Sequence, residues 1–367
     1  MSILLGRENW PFVSTPFWPR PPERYPGALP AKADVLVVGG GIAGTSLLWH
    51  LAARRIDGVL VERHHLAWGA SGRNAGFLLA GVASSYAEAV RTYGREKARE
   101  VWELTNENQD RMIEAVQGQQ VGHRRLGTAI LPDSDEERAL LIESEQLLHE
   151  DGFQARWDGT RLINPRDGEC DPVAVVAALA RQAKAGAIRE GVNVTALESR
   201  RHGVIVLAGE ASCEAGVVIL ATNAYTTQLV PLVNIQPTRA QMLATGPESR
   251  SLVDLPVYSH FGYRYWRQLA TGEVLVGGWR DKSLETEKTD DDSPTSEIQD
   301  QLERAARGLG AKSEITHRWA GTMGFTESGL PVAGPLEGMP NVYICAGFTG
   351  HGMGFAFMTA KGVVGQI

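Results

Sequence analysis

An unbroken apolar run, Asp34-Val-Leu-Val-Val38, opens the regular part of the chain. Such a run, rich in β-branched residues, predicts a strand covered on both faces, as in a parallel sheet. Glycines interrupt it at Gly39–Gly44, and Thr45–Arg55 then sets Leu47, Leu48, Leu51 and Ala52 on one side of a helix. Gly58–Glu62 is a second short apolar strand, so a β-α-β unit of about 30 residues is predicted. Apolar positions recur every three or four residues over Tyr86–Val116, which predicts one long helix. Arg125–Pro132 predicts a strand, and Asp135–Asp151 a helix. Asp171-Pro172 offers a cap and a first-turn proline for an apolar helix running to Ala187. Short strands are predicted at Val192–Ala196, Val204–Ala208 and Val217–Ala221, then at Pro237–Thr245 and Glu273–Gly278. Leu284–Pro294, with Asp290, Asp291 and Asp292, is polar and predicts a solvated turn. Ser296–Gly308 is an amphipathic helix.

The first 30 residues follow a different pattern. Pro11, Pro16, Pro19, Pro21, Pro22, Pro26 and Pro30 stand among Trp10, Phe12, Phe17, Trp18 and Tyr25. Prolines this dense exclude helix and central strand, so an extended arm is predicted, its aromatics docked on the body or on a partner subunit.

Composition narrows the class of protein. With 367 residues, 43% of them hydrophobic and 22% charged, the chain suits a two-domain globular protein. A formal net charge of −7 argues against nucleic acid or an anionic membrane as main partner. Cys170, Cys213 and Cys345 are too few and too scattered for a disulfide framework or a metal site, and they suit a reducing compartment. No apolar run approaches the roughly 20 residues of a bilayer span. A soluble cytoplasmic protein is therefore expected.

The candidate chemistry lies in three glycine clusters: Gly39–Gly44, Gly69–Gly81 and Gly347–Gly354. Loops that bring backbone close to a ligand need residues without a Cβ, and three of them suggest one extended ligand. Gly39-x-Gly41-x-x-Gly44 lies between a buried strand and a helix. Gly39 permits a tight turn, Gly41 lets a pyrophosphate meet the backbone, and Gly44 lets helix and strand pack closely. The helix N-terminus offers unpaired N–H donors to phosphates. Glu62, closing the next strand, can accept both hydroxyls of an adenosine ribose. Together these point to a dinucleotide.

Beyond Glu62 come Arg63 and then Trp68-Gly-Ala-Ser-Gly-Arg-Asn-Ala-Gly76, and here the chain resembles the D-amino-acid-oxidase-like family of FAD-dependent amine oxidoreductases. Similar wording continues through Gly191-Val-Asn-Val-Thr195, Val217–Ala224, Trp319-Ala-Gly to Gly334, and Tyr343–Gly354. The resemblance implies FAD, bound without a covalent bond because no cysteine stands in Trp319–Thr326. It implies cofactor contacts from Gly39, Gly41, Ile42, Ala43, Gly44, Glu62 and Arg63 in the first unit. Ala70, Ser71, Arg73, Asn74, Ala75 and Gly76 would follow the flavin. Val194, Ala221 and Thr222 would flank the adenine side. Gly347, Thr349, Gly350, His351, Gly352 and Met353 would start a closing helix beside the flavin, its N-terminus supplying positive potential.

The fold implied is α/β plus α+β: a discontinuous GxGxxG Rossmann-like FAD domain (31–120, 162–235, 317–367) and an antiparallel-sheet substrate domain (121–161, 236–316). The reaction implied is hydride transfer from the carbon beside an amine nitrogen to flavin N5, followed by hydrolysis of the imine. Oxygen or an electron carrier would reoxidise the flavin. Tyr263, Tyr265, Arg267 and Met323 are the candidate substrate contacts, with His351 and Tyr265 as candidate catalytic groups. Met323 stands where amino-acid-oxidising members carry a carboxylate-binding arginine. That favours an amine lacking such an anchor at its reacting end, unless Arg264 or Arg267 replaces it from another wall.

Overall fold

A computed structural model describes residues 14–367. Trp10, Pro11 and Phe12 of the expected arm lie outside the described residues.

Two eight-stranded sheets carry a mixed α/β fold. The first runs in the order Val332–Pro335, Val342–Ala346, Ala211–Leu220, Lys32–Val38, Gly58–Glu62, Ile188–Glu190. Gly203–Ala208 and Ala196–Arg200 extend it from Ala211–Leu220. Its four central pairings are parallel, and the buried Leu36, Val37 and Val38 occupy the middle strand, as the unbroken apolar run requires. The helix Ile42–Ala53 covers one face. The closing helix Gly352–Val364 packs against it, with the His50 ring nitrogen 2.9 Å from the Phe357 carbonyl oxygen.

The second sheet runs Ile315–Phe325, Gln236–Pro247, Glu273–Gly278, Arg264–Gln268, Val257–Ser259, Thr128–Leu131, Leu162–Asn164, Arg156–Trp157. Every pairing in it is antiparallel except that of Val257–Ser259 with Thr128–Leu131. The helix Ser296–Gly308 covers it with Ile298, Leu302 and Ala306. Ile315–Phe325 pairs along its length with Gln236–Pro247, so the start of the 317–367 segment lies in this sheet. Leu162–Asn164 does likewise at the other edge.

Several elements differ from their sequence expectation. Tyr86–Val116 is two helices, Tyr86–Tyr93 and Arg95–Ala115, because Gly94 at φ 82° turns the chain between them. The helix capped by Asp171 ends at Arg181 rather than Ala187. Beyond it the chain must reach the sheet edge, where the Ala187 carbonyl accepts from Leu60 N at 2.7 Å and Ile188–Glu190 pairs with Gly58–Glu62. Val192–Thr195 is irregular backbone, not strand, with Val192 N held by the Glu62 carbonyl. The acidic stretch Leu284–Pro294 is no simple solvated turn: Glu287 is buried in an ion pair with Arg239, and Asp292 pairs with Arg73.

The described part of the arm is extended and docked on the body. Thr15 N donates to the Arg318 carbonyl at 3.2 Å, and Tyr25 shares its carbonyl with Glu190 N. Trp18 is buried; its indole N–H donates to the Asn74 carbonyl at 2.8 Å while the Arg267 guanidinium lies over its ring.

Candidate functional site

The first glycine turn is shaped by close approach. A Cβ on Gly44 would stand 1.8 Å from the Gly39 carbonyl oxygen, so helix and turn can touch only through glycine. Gly39 itself sits at φ 114°, where L side chains are strained. Gly41 is the N-cap of the helix Ile42–Ala53 and brings no side chain to the first-turn N–H groups. Ser71 Oγ accepts from Ile42 N at 2.9 Å, tying the second glycine cluster to this turn. No acidic residue occupies the first turn, so the helix end keeps its partial positive charge.

Glu62 closes over that turn. Its two carboxylate oxygens accept from Gly40 N at 2.7 Å and His64 N at 2.8 Å. Burial raises its pKa, against the lowering effect of those two N–H groups. Arg63 beside it lies over the rings of Tyr225 and Trp68.

From this turn a single cavity of about 460 Å³ extends to the second sheet. The irregular segment Val192–Thr195 and the turn Ala221–Asn223 line one end. The Trp68–Ala75 segment and the start of the closing helix, Thr349–Gly354, line its length. At the far end stand Tyr258, Tyr263, Tyr265, Arg280, Met323 and Phe325.

That far end is aromatic. The rings of Tyr258 and Tyr265 lie 5.6 Å apart, and Tyr258 stacks at 6.2 Å on His351. Burial pushes the Tyr265 phenol up to about 12, so it stays protonated at neutral pH. Among the described residues neither tyrosine hydroxyl has a hydrogen-bond partner, which leaves both free for a ligand. The His351 pKa is lowered, first by burial and then by the charge of Arg280. Its Nδ1 lies 3.1 Å from the Thr349 carbonyl, an arrangement that suits a neutral ring donating from Nδ1.

The glycine turn, uncapped helix ends and apolar chamber match the parts that bind an extended dinucleotide with a buried reacting end. A profile of the family described as DAO, FAD dependent oxidoreductase, matches residues 34–365. The chain belongs to that family. A relative named as a probable oxidoreductase, OrdL of Rhizobium meliloti (strain 1021), is 29% identical over 90% of this chain and 82% of its own. The gamma-glutamylputrescine oxidoreductase of Escherichia coli (strain K12) is 26% identical over 87% of this chain and 80% of its own. Among solved structures, glycine oxidase from Geobacillus kaustophilus shares the fold with a TM-score of 0.74 at 21% identity, covering 92% of this chain and 95% of that one.

Most of the cofactor contacts that the DAO-family resemblance implies line the one cavity: Gly39, Gly41, Ile42 and Ala43 at the turn, Glu62 and Arg63 beside it. So do Ala70, Ser71, Arg73, Asn74 and Ala75, then Val194, Ala221 and Thr222, and finally Thr349 through Met353. Gly44, Gly76 and Gly347 sit behind its walls. Arg73 reaches the wall, yet its guanidinium is held by the Trp68 and Ala320 carbonyls, Ser14 Oγ and Asp292. Tyr263, Tyr265 and Met323, the candidate substrate contacts apart from Arg267, stand together at the far end, Tyr263 from the turn that precedes the strand Arg264–Gln268.

Arg267 does not reach the cavity. It is buried against the Gly76 and Cys170 carbonyls, Glu169 and the Trp18 ring. Arg264 points to the opposite face and bonds Asp133 at 3.1 Å. Neither replaces an anchor at Met323. Among the cavity residues that escaped the sequence reading are Tyr258 and Arg280. Tyr258 lies in a three-residue strand too short for a periodic signal. Arg280 follows Gly278 at φ 112° and Trp279 at φ 60°, a kink past the strand end that a Gly-Gly pair alone could have flagged.

Proposed function

We propose that this FAD-dependent oxidoreductase oxidises an amine at the carbon beside its nitrogen. The observation that carries the proposal is the single cavity that joins a phosphate-type glycine turn to a tyrosine-lined chamber. The residues fit FAD: Gly41 brings no side chain over the helix start that faces the cavity, and the Glu62 carboxylate stands beside it for a ribose. We assign the first sheet and its helices as a Rossmann-like FAD-binding part, and the second sheet as the substrate part.

Bound there, FAD would supply the hydride acceptor and the protein would supply position, dryness and charge. The start of Gly352–Val364, with neither acid nor side-chain cap in its first turn, favours negative charge developing beside it. Neutral His351 and the high-pKa Tyr265 are suited to hydrogen bonding rather than to taking the substrate proton at pH 7. An amine that binds unprotonated needs no dedicated base. Aromatic walls accept such an amine and exclude water from it. All three cysteines are buried and none lines the cavity, which supports a cofactor held without covalent attachment and a chain that works in the reducing cytoplasm. Among the described residues no helix is long and apolar enough to cross a membrane.

The test is an anaerobic flavin-bleaching screen over polyamines, N-methyl amino acids and amino acids. Reduction by an amine supports the proposal. A fully loaded enzyme that no amine reduces rejects it. Reoxidation of the bleached enzyme, with air or with quinone acceptors, then separates oxygen from a carrier.

A further inference from the structure

Arg280 is the charged side chain in the substrate chamber that the fold does not account for. Its guanidinium carbon lies over two rings, 4.3 Å from the Tyr263 centroid and 4.8 Å from that of Phe325. Among the described residues it has neither a carboxylate partner nor a hydrogen-bond acceptor. The other two arginines that front the cavity are not free in this way. Arg73 is held through Nε and Nη1 by two carbonyls, a hydroxyl and Asp292, and Arg63 bonds Gln228. The neighbouring Asp281 is turned away, toward His260 and Lys282.

A guanidinium that gives no N–H to the fold keeps its donors for planar acceptors, and its edge matches a carboxylate in two parallel bonds. Its charge acts inside the chamber, where it lowers the pKa of both His351 and Tyr265. Met323, by contrast, lies against Gly350 at the start of the closing helix and gives that wall a thioether, which offers nothing to an anion. The chamber therefore has a thioether at Met323 and a guanidinium at the Tyr263–Phe325 wall.

We propose that Arg280 is a specificity-determining anchor for a substrate carboxylate, and that the substrate is an amine whose carboxylate is separated from the reacting carbon by a short chain. This rests on the amine-oxidising function proposed above, with the start of the closing helix beside the reacting carbon.

The test uses the FAD-loaded enzyme and matched ligands: 4-aminobutanoate against butylamine, glycine against methylamine, and pentanoate as a carboxylate without an amine. Half-saturation for flavin reduction is measured anaerobically, and pentanoate binding by titration calorimetry. In the wild type 4-aminobutanoate should be preferred to butylamine, with glycine poorer than 4-aminobutanoate. Arg280→Met should reduce that preference and weaken pentanoate binding, each by about 10- to 100-fold. Arg280→Lys should recover part of both, since it restores the charge without the planar fork. Arg264→Met, whose parent side chain lies outside the cavity, should leave the preference in place.

Equal preference in wild type and Arg280→Met, or pentanoate binding unmoved by it, would overturn the proposal. So would glycine as the better substrate, because it would put the carboxylate at the reacting carbon. If no amine bleaches the flavin, the amine function fails while pentanoate binding still decides the anchor.

Discussion

Replacing Arg73 by methionine should cost the empty and the FAD-loaded protein the same stability. In the intact protein Nε donates to the Trp68 carbonyl at 3.0 Å, and Nη1 serves Ser14 Oγ at 3.0 Å and the Ala320 carbonyl at 2.7 Å. Asp292 lies 2.9 Å away and offsets part of the desolvation that lowers the guanidinium pKa. Methionine fills much of the volume but strands the Trp68 carbonyl and leaves the Ala320 carbonyl only the longer bond from Ser14 Oγ, at about 1–3 kcal/mol for each buried group. The ion pair adds little, because Asp292 is partly exposed. A total of about 3–4 kcal/mol should lower Tm by roughly 4–5 °C in a chain of this length. Thermal unfolding with and without FAD, together with a flavin fluorescence titration, reads both quantities. Affinity for FAD should change by no more than about threefold, since a ligand that binds the native state stabilises both proteins alike. An empty variant as stable as wild type, with FAD binding weakened tenfold or more, would refute this and make Arg73 a direct cofactor contact.

Three further outcomes are expected. Glu62→Gln should keep the protein folded but weaken FAD by about 10- to 100-fold, because one acceptor oxygen facing Gly40 N or His64 N becomes a donor; fluorescence titration checks it. Acid precipitation should release the yellow colour into the supernatant, since no cysteine lines the cavity; colour kept in the pellet would show a covalent bond. His351 has its pKa lowered by burial and by Arg280, so it is neutral above about pH 6.5 and His351→Gln should move no limb of the reduction-rate profile beyond that pH. A limb near neutrality that disappears in the variant would contradict this.

The β-α-β unit was legible because each of its parts follows from a local rule. A strand buried on both faces needs an unbroken apolar run, and the contact of Gly44 with the Gly39 carbonyl admits no Cβ. Most of the cavity wall followed from the resemblance, which covers the same three glycine clusters. What escaped depends on partners distant in sequence. The helix from Pro172 stops at Arg181 because the next residues must pair with Gly58–Glu62, and nothing in an alanine-rich stretch announces that. Asp292 read as a solvated acid because its partner, Arg73, is remote in the chain. Arg267 carries the right chemistry on the right strand, but Trp18 and two carbonyls hold it beneath the chamber. Arg280 does the reverse: two residues of left-handed backbone carry it past the strand end and back over the ring of Tyr263.

The packing of the closing helix on the first one orders events during synthesis. Ile42–Ala53 emerges early, yet the face it buries is completed by Gly352–Val364, through His50 with Phe357 and Arg54 with the Val364 carbonyl. Until Gly352–Val364 leaves the ribosome, the glycine turn lacks the wall formed by Thr349–Gly354, and the apolar side of the first helix stays exposed. Contacts so distant along the chain close late, after their loop entropy has been met. Flavin loading therefore waits for Gly352–Val364, and a nascent chain stalled before Gly352 should carry a formed β-α-β unit but no cofactor.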